Sequence, residues 1–101
     1  MEEYINDTVT QNAVVVFSKS SCPYCHNAKR ALARIGCKPL VVELNQVPDG
    51  SEIQSTLARM TGRRTVPNVF VGGKAIGGGD DTEALLRSGE LKRLVEEAGG
   101  L

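Results

Sequence analysis

Four β-branched or aromatic residues in a row, Val14-Val15-Val16-Phe17, run into a polar loop, Ser18-Lys19-Ser20-Ser21, and then into the tetrapeptide Cys22-Pro23-Tyr24-Cys25. With Ala13, the apolar run 13–17 is short and continuous, as expected of a strand buried on both faces inside a sheet. Pro23 suits the first position of a helix, where its missing N–H costs nothing and its fixed φ is already correct. Cys22 then falls at the N-cap. The chain must pass from a buried strand through one short loop into a helix, with a thiol at the junction. A helix start carries unpaired N–H groups and about half a unit of positive charge, which favours an anion. A thiolate is such an anion, and Lys19 adds a full charge just upstream. Cys22 is therefore the expected nucleophile. Cys25, one turn further in on the same helix face, is the expected resolving thiol.

Two other uses of the pair have to be weighed. Cys22-Pro23-Tyr24-Cys25-His26 fits the C-x-x-C-H pattern of c-type haem attachment and could supply part of a zinc site. For haem, Met60 is the only candidate axial methionine besides Met1. For tetrahedral zinc, only Cys37 and His26 stand beside the pair, and there is no second C-x-x-C. Redox use is better supported, and no metal is expected.

The 101 residues suffice for one domain, 1–101, with a modest core. Hydrophobic residues at 41% and charged residues at 24% are ordinary globular usage, which excludes fibrous and disordered classes. Twelve basic and twelve acidic residues cancel, which argues against a general nucleic-acid or anionic-membrane surface. No run approaches the roughly 18 apolar residues of a membrane span, and residues 1–12 lack the apolar core of a signal peptide. A cytoplasmic monomer is the expectation, with an organelle open if a transit peptide has been removed. In such a reducing setting a C-x-x-C pair is catalytic rather than structural.

The remaining chain reads as alternating elements. Ile5 and Val9 give a weak amphipathic helix over 2–11. Ala28, Ala31, Leu32 and Ile35 continue the helix that opens at Pro23 to about residue 35, with Gly36 as a left-handed cap. Residues 39–44 form a second strand, completing a β-α-β unit whose strands are parallel. Asp49 with Glu52 reads as a capping box for a helix carrying Ile53, Leu57 and Met60 and ending at Gly62. Residues 68–71 and 74–76 flank Gly72-Gly73 as an antiparallel hairpin. Asp80 reads as the N-cap of a fourth helix, broken at Ser88-Gly89, and a fifth carries Leu91, Leu94 and Val95. The fold class is α/β: a four-stranded mixed sheet with about five helices. Cys37 reads as a half-buried strand residue, His26 as a surface residue, and Arg59 and Arg63 as solvated.

This order, with C-x-x-C at the first strand-to-helix turn, resembles the thioredoxin fold. Within it Cys22-Pro23-Tyr24-Cys25, Thr65-Val66-Pro67 and Gly77-Gly78-x-Asp80-Asp81 together resemble the dithiol (C-P-Y-C, class I) glutaredoxins over nearly the whole chain. Thioredoxin itself is a poorer match, since its pattern has Gly-Pro between the cysteines and a Trp before them, and this chain has no Trp.

The resemblance implies a glutathione-dependent thiol–disulfide oxidoreductase that reduces glutathionylated proteins and protein disulfides. Glutathione is its cosubstrate, and glutathione reductase couples to it indirectly. It further implies that Lys19, Gln54 and Arg64 hold the glycine carboxylate of glutathione, and that Thr65 and Val66 offer contacts beside a cis Pro67. Gly79 and Asp80 would present backbone N–H groups to the γ-glutamyl carboxylate, Asp81 would meet its ammonium, and Tyr24 would lie against the ligand. Relatives often carry Cys or Asn at the position of Gly79, so only main-chain contacts carry over there. Alternatives within this frame are a redoxin reduced by thioredoxin reductase and a dimer holding a [2Fe-2S] cluster through Cys22 and glutathione.

Overall fold

The computed structural model describes residues 1–101. Their order is α1 (Glu2–Gln11), β1 (Val14–Ser18), α2 (Pro23–Arg34), β2 (Leu40–Glu43), α3 (Gly50–Thr61), β3 (Asn68–Val71), β4 (Lys74–Gly77), α4 (Gly79–Ser88) and α5 (Glu90–Glu97). No helix is long and apolar enough to cross a membrane.

The strands lie in the order β2-β1-β3-β4. β1 is parallel to β2, with Ser18 opposite Glu43, and antiparallel to β3, with Phe17 opposite Asn68. All five β1 residues are buried, as a run without polar alternation requires of an interior strand. Successive side chains then go to opposite faces. Val14 and Val16 join Ala28, Ala31, Leu32, Val69, Val71, Leu91 and Val95 beneath α2 and α5, with Leu85 and Leu86 of α4 packed alongside. Val15 and Phe17 join Ile5, Val9, Ile53, Leu57 and Phe70 beneath α1 and α3. There Phe17 and Phe70 meet edge to face, with centroids 5.8 Å apart and planes at 82°, the arrangement that ring quadrupoles favour.

Glycine closes the elements where the sequence places it. Gly72 and Gly73 both have positive φ, 59° and 80°, as a two-residue hairpin with right-handed strand twist needs. Gly62 ends α3 in the left-handed region. Three expectations need correction. Asp49 is the residue before α3, but neither it nor Glu52 makes the capping-box bond. Its φ of −97° and ψ of 19° are not the extended values of a bonding N-cap. Instead α3 begins on Gly50, where a Cβ would lie 1.8 Å from the Leu44 carbonyl oxygen, so the helix start is seated against the chain leaving β2. Cys37 lies in the α2–β2 connection rather than in a strand, and at 4% exposure it belongs to the core. α4 begins at Gly79, so Asp80 is inside the helix and Gly78 is its N-cap.

Candidate active site

The first helical turn of α2 is built as its sequence requires. Cys22 is the N-cap in extended conformation, with Pro23 immediately following it. Its Sγ accepts a hydrogen bond from the Cys25 N–H at 3.3 Å, so one of the orphan donors of the helix start is spent on sulfur. Cys22 is partly exposed, whereas Cys25 is fully buried, and both thiols are free. Burial and the neighbouring Cys22 sulfur push the Cys25 thiol up. The Lys19 backbone and the Ser18 hydroxyl act in the opposite sense but do not offset the rise. The pair thus consists of an accessible sulfur at a helix start and a buried, protonated one behind it.

The loop before the pair is tied down by residues to which the sequence assigned no such role. Asn45, just after β2, donates to Ser20 Oγ at 2.7 Å and accepts from the Ser20 N–H at 3.1 Å. The exposed His26 ring lies 3.0 Å from the Ser20 carbonyl. Both clamp the turn that ends at Cys22, whose N–H donates to the Lys19 carbonyl at 3.0 Å. An Asx residue after a strand and a His one turn into a helix are too common to be singled out from sequence.

Opposite the thiols runs Thr65-Val66-Pro67. The Val66–Pro67 peptide is cis, and the Cys22 thiol donates to the Val66 carbonyl at 3.7 Å, a distance reasonable only for sulfur. The Val66 N–H has no partner within the chain. Pro67 is buried at the threshold of β3.

The third wall is the start of α4. The Gly79 and Asp80 N–H groups find no acceptor in the chain, leaving two donors at the positive end of a helix. A Cβ on Gly79 would lie 2.8 Å from the Tyr24 carbonyl oxygen, so the starts of α4 and α2 approach backbone to backbone. Asp81 supplies the cap that Asp80 does not, its Oδ2 accepting from the Gly78 N–H at 2.9 Å. The same oxygen takes Arg63 Nη2 at 2.9 Å. Arg63 is therefore an ion-paired residue of the site wall rather than a solvated one, while Arg59 remains exposed.

Tyr24, Thr65, Val66, Pro67, Gly79, Asp80 and Asp81 line a single open groove of about 520 Å³. Gln54 and Arg64 line a neighbouring hollow along α3, where the Gln54 amide donates to the Arg64 carbonyl at 2.9 Å. That bond fixes the backbone and leaves the exposed Arg64 side chain free of any ion pair. Lys19 borders neither hollow. The surface beside Cys22 thus offers main-chain donors and an acceptor, the carboxylates of Asp80 and Asp81 and guanidinium groups, which is complementary to an extended peptide with carboxylates at both ends and an ammonium.

The glutaredoxin family model matches residues 14–76. A glutaredoxin of Ricinus communis is 56% identical over 95 residues, covering 94% of this chain and 93% of that protein. The chloroplastic glutaredoxin-C5 of Arabidopsis thaliana is 52% identical over 101 residues, covering 99% of this chain but 58% of that longer protein. Among solved structures, a buckwheat glutaredoxin–glutathione complex superposes with a TM-score of 0.95 at 41% identity, covering 99% of this chain and 91% of that one. Oxidised glutaredoxin 2 from Chlamydomonas reinhardtii gives 0.94 at 46% identity, covering 99% and 94%. With a thioredoxin-fold sheet, a C-x-x-C helix start and matches over essentially its full length, this chain belongs to the glutaredoxin family.

Proposed function

We infer that this protein is a glutathione-dependent thiol–disulfide oxidoreductase in which Cys22 is the nucleophile that takes up glutathione and Cys25 is the thiol that resolves mixed disulfides with protein substrates. The observation that carries the assignment is the asymmetry of the pair. Cys22 sulfur is accessible at a helix N-cap, and Cys25 is buried and kept protonated behind it. The Cys22 thiolate attacks the glutathione sulfur of a protein–glutathione disulfide. The protein thiolate leaves and takes a proton from solvent, and Cys22 holds glutathione as a mixed disulfide. A second glutathione thiolate attacks the glutathione sulfur of that disulfide, releasing glutathione disulfide and restoring Cys22. With a protein disulfide, Cys22 forms a mixed disulfide with the protein, and Cys25 attacks Cys22 to leave an internal Cys22–Cys25 disulfide.

Glutathione is proposed to lie along the groove in an extended form. Its backbone pairs with the Val66 N–H and C=O as an added strand. Its γ-glutamyl carboxylate meets the free N–H groups of Gly79 and Asp80, and its ammonium meets the open Oδ1 of Asp81. Its glycine carboxylate faces Arg64 and Gln54, Lys19 in the loop before Cys22 is a further cation proposed for it, and Tyr24 and Thr65 flank the chain. The buckwheat relative was solved as a glutathione complex, which supports this reading. The proposed physiological partners are glutathionylated or disulfide-bonded proteins, with glutathione reductase as the indirect electron source and a monomer as the working form. A reducing compartment suits this chemistry, and we assign the protein to the cytoplasm, although two relatives are chloroplastic by name.

The test is glutathione-dependent reduction of a glutathionylated peptide, coupled to glutathione reductase, for wild type, Cys22→Ser and Cys25→Ser. Loss of turnover in Cys22→Ser with turnover kept in Cys25→Ser is the expected result. An inactive wild type would overturn glutathione as the electron donor.

A further inference from the structure

Arg63 is the one cation lining the groove beside Cys22, a groove it lines together with Asp80 and Asp81. Its guanidinium is held from two sides. Nη2 donates to Asp81 Oδ2 at 2.9 Å, and Nη1 lies over Gly78, so close that a Cβ built there would stand 2.6 Å from it. Gly78 is the N-cap of α4, and the next two residues, Gly79 and Asp80, carry the free N–H groups of that helix start. The root of the side chain is fixed as well. The Arg63 N–H donates to Thr61 Oγ1 at 3.2 Å, and the same oxygen accepts from the amide of the buried Asn68 at 3.1 Å. A guanidinium has five N–H donors, and within the chain this one bonds only to Asp81. The others are open to the groove and to the hollow behind it, both of which Arg63 lines.

The charges around the helix start call for a cation. The γ-glutamyl head of glutathione is a zwitterion, with an ammonium and a carboxylate on one carbon. Asp81 suits the ammonium, but two aspartates beside the helix start repel the carboxylate. The helix itself offers about half a unit of positive charge, too little to offset two full negative ones. Arg63 adds a full unit against the residue that precedes the free N–H groups. Arg64 does not line the groove and borders the hollow along α3 instead.

We propose that Arg63 selects the γ-glutamyl end of the substrate by supplying the cation for its carboxylate, while Arg64 serves the glycine end. The proposal rests on glutathione lying in the groove as set out above. In the exchange the Cys22 thiolate attacks the glutathione sulfur of a peptide–glutathione disulfide. The Cys22–glutathione bond forms as the peptide–glutathione bond breaks, and the peptide sulfur leaves as a thiolate and is protonated by solvent. Arg63 takes no part in that bond change. It binds the γ-glutamyl carboxylate and keeps Asp81 Oδ2 occupied, so that Oδ1 is the atom left for the ammonium.

The test is the second-order rate constant of this step in the Cys25→Ser background, read by stopped flow from release of a fluorescent peptide thiol. Four peptide disulfides are compared: that of glutathione, that of its glycinamide, which lacks the glycine carboxylate, that of 4-aminobutyryl-cysteinyl-glycine, which lacks the γ-glutamyl carboxylate, and that of glutaryl-cysteinyl-glycine, which lacks the ammonium. Arg63→Gln should lose about three- to fivefold, the size of one partly exposed charged contact, with every disulfide except the 4-aminobutyryl one. Arg63→Lys, which keeps the charge, should recover most of that loss. Arg64→Gln should instead lose rate with every disulfide except the glycinamide. An equal loss with all four in Arg63→Gln, or no loss with any, would leave Arg63 no part in selection and overturn the proposal. A loss that vanished only with the glutaryl compound would show that Arg63 acts through Asp81 alone, and would overturn it too. A parent protein that takes all four at the same rate would overturn the groove itself as the glutathione site, and the proposal with it.

Discussion

Replacing Asp81 separates two interactions that converge on one oxygen. Asp81 Oδ2 accepts from the Gly78 N–H, capping α4, and from Arg63 across the groove, both at 2.9 Å. Loss of a capping acceptor costs about 0.5–2 kcal/mol. The ion pair joins side chains that are 36% and 52% exposed, so solvent screening limits it to about 0.2–1 kcal/mol. Asp81→Ala removes both and should lose about 1–2 kcal/mol. For a chain of this size, each kcal/mol lowers the melting temperature by about 4–8 °C. Asp81→Asn keeps an acceptor for the Gly78 N–H and loses only the charge. It should therefore lie close to wild type, and the remaining gap should narrow with added salt. Urea denaturation supplies the stabilities, and the coupled peptide assay supplies KM for glutathione, which should rise in both variants because both remove the carboxylate proposed to meet the ligand ammonium. If Asn and Ala were equally destabilising, the cap would not be the larger of the two interactions, and its assignment to Asp81 would be refuted.

Other consequences can be checked in the same denaturation experiments. Gly50→Ala would place a Cβ 1.8 Å from the Leu44 carbonyl oxygen. The overpacking cost of about 1–3 kcal/mol should exceed the roughly 1 kcal/mol that Ala gains over Gly in a helix; a stabilised variant would show that the contact relaxes freely. Leu32→Ala, at a fully buried position between α2 and the sheet, should lose about 2–5 kcal/mol, and a loss well under that range would contradict its place in the core. Because the folded-state Glu43 carboxyl titrates below its ordinary value, its contribution is present above the unfolded carboxyl pKa of about 4.3 and is lost as pH falls through the folded value. Lys29→Ala should therefore be less stable than wild type at neutral pH, with a difference that shrinks in acid; a difference independent of pH would count against the pair.

The sheet and helices were legible in the sequence because periodicity and punctuation agreed. An unbroken apolar run marked β1, Pro23 after Cys22 marked the start of α2, and Gly62, Gly72-Gly73 and Gly89 marked turns that require positive φ. The helix caps were harder to read. Asp80 and Asp81 are equivalent as letters, and only the extended conformation of Gly78 makes the second one the cap. The Asp49–Glu52 pattern met the spacing of a capping box, but packing of Gly50 on Leu44 set the geometry instead. Cys37 sat beside a strand pattern, yet the core closes over the connection before β2.

At the site, the thiol pair could be placed because its spacing at a strand-to-helix turn carries the chemistry, whereas the Thr65-Val66-Pro67 wall opposite it was implied by the family resemblance. Arg63 could not be told from Arg64, since adjacent arginines diverge only once the loop has a conformation. One then crosses to Asp81, and the other stays free over α3. The clamp of Asn45 on Ser20 joins residues 25 apart in sequence that the pairing of β1 with β2 brings together, and no local pattern announces it.

The most direct test of the central claim is to trap the intermediate. The Cys25→Ser variant, treated with glutathione disulfide, digested and mapped by mass spectrometry, should carry one glutathione on the peptide containing Cys22, releasable by free glutathione. Glutathione found only on Cys37, or no adduct at all, would contradict the assignment of Cys22 as the sulfur that carries the chemistry.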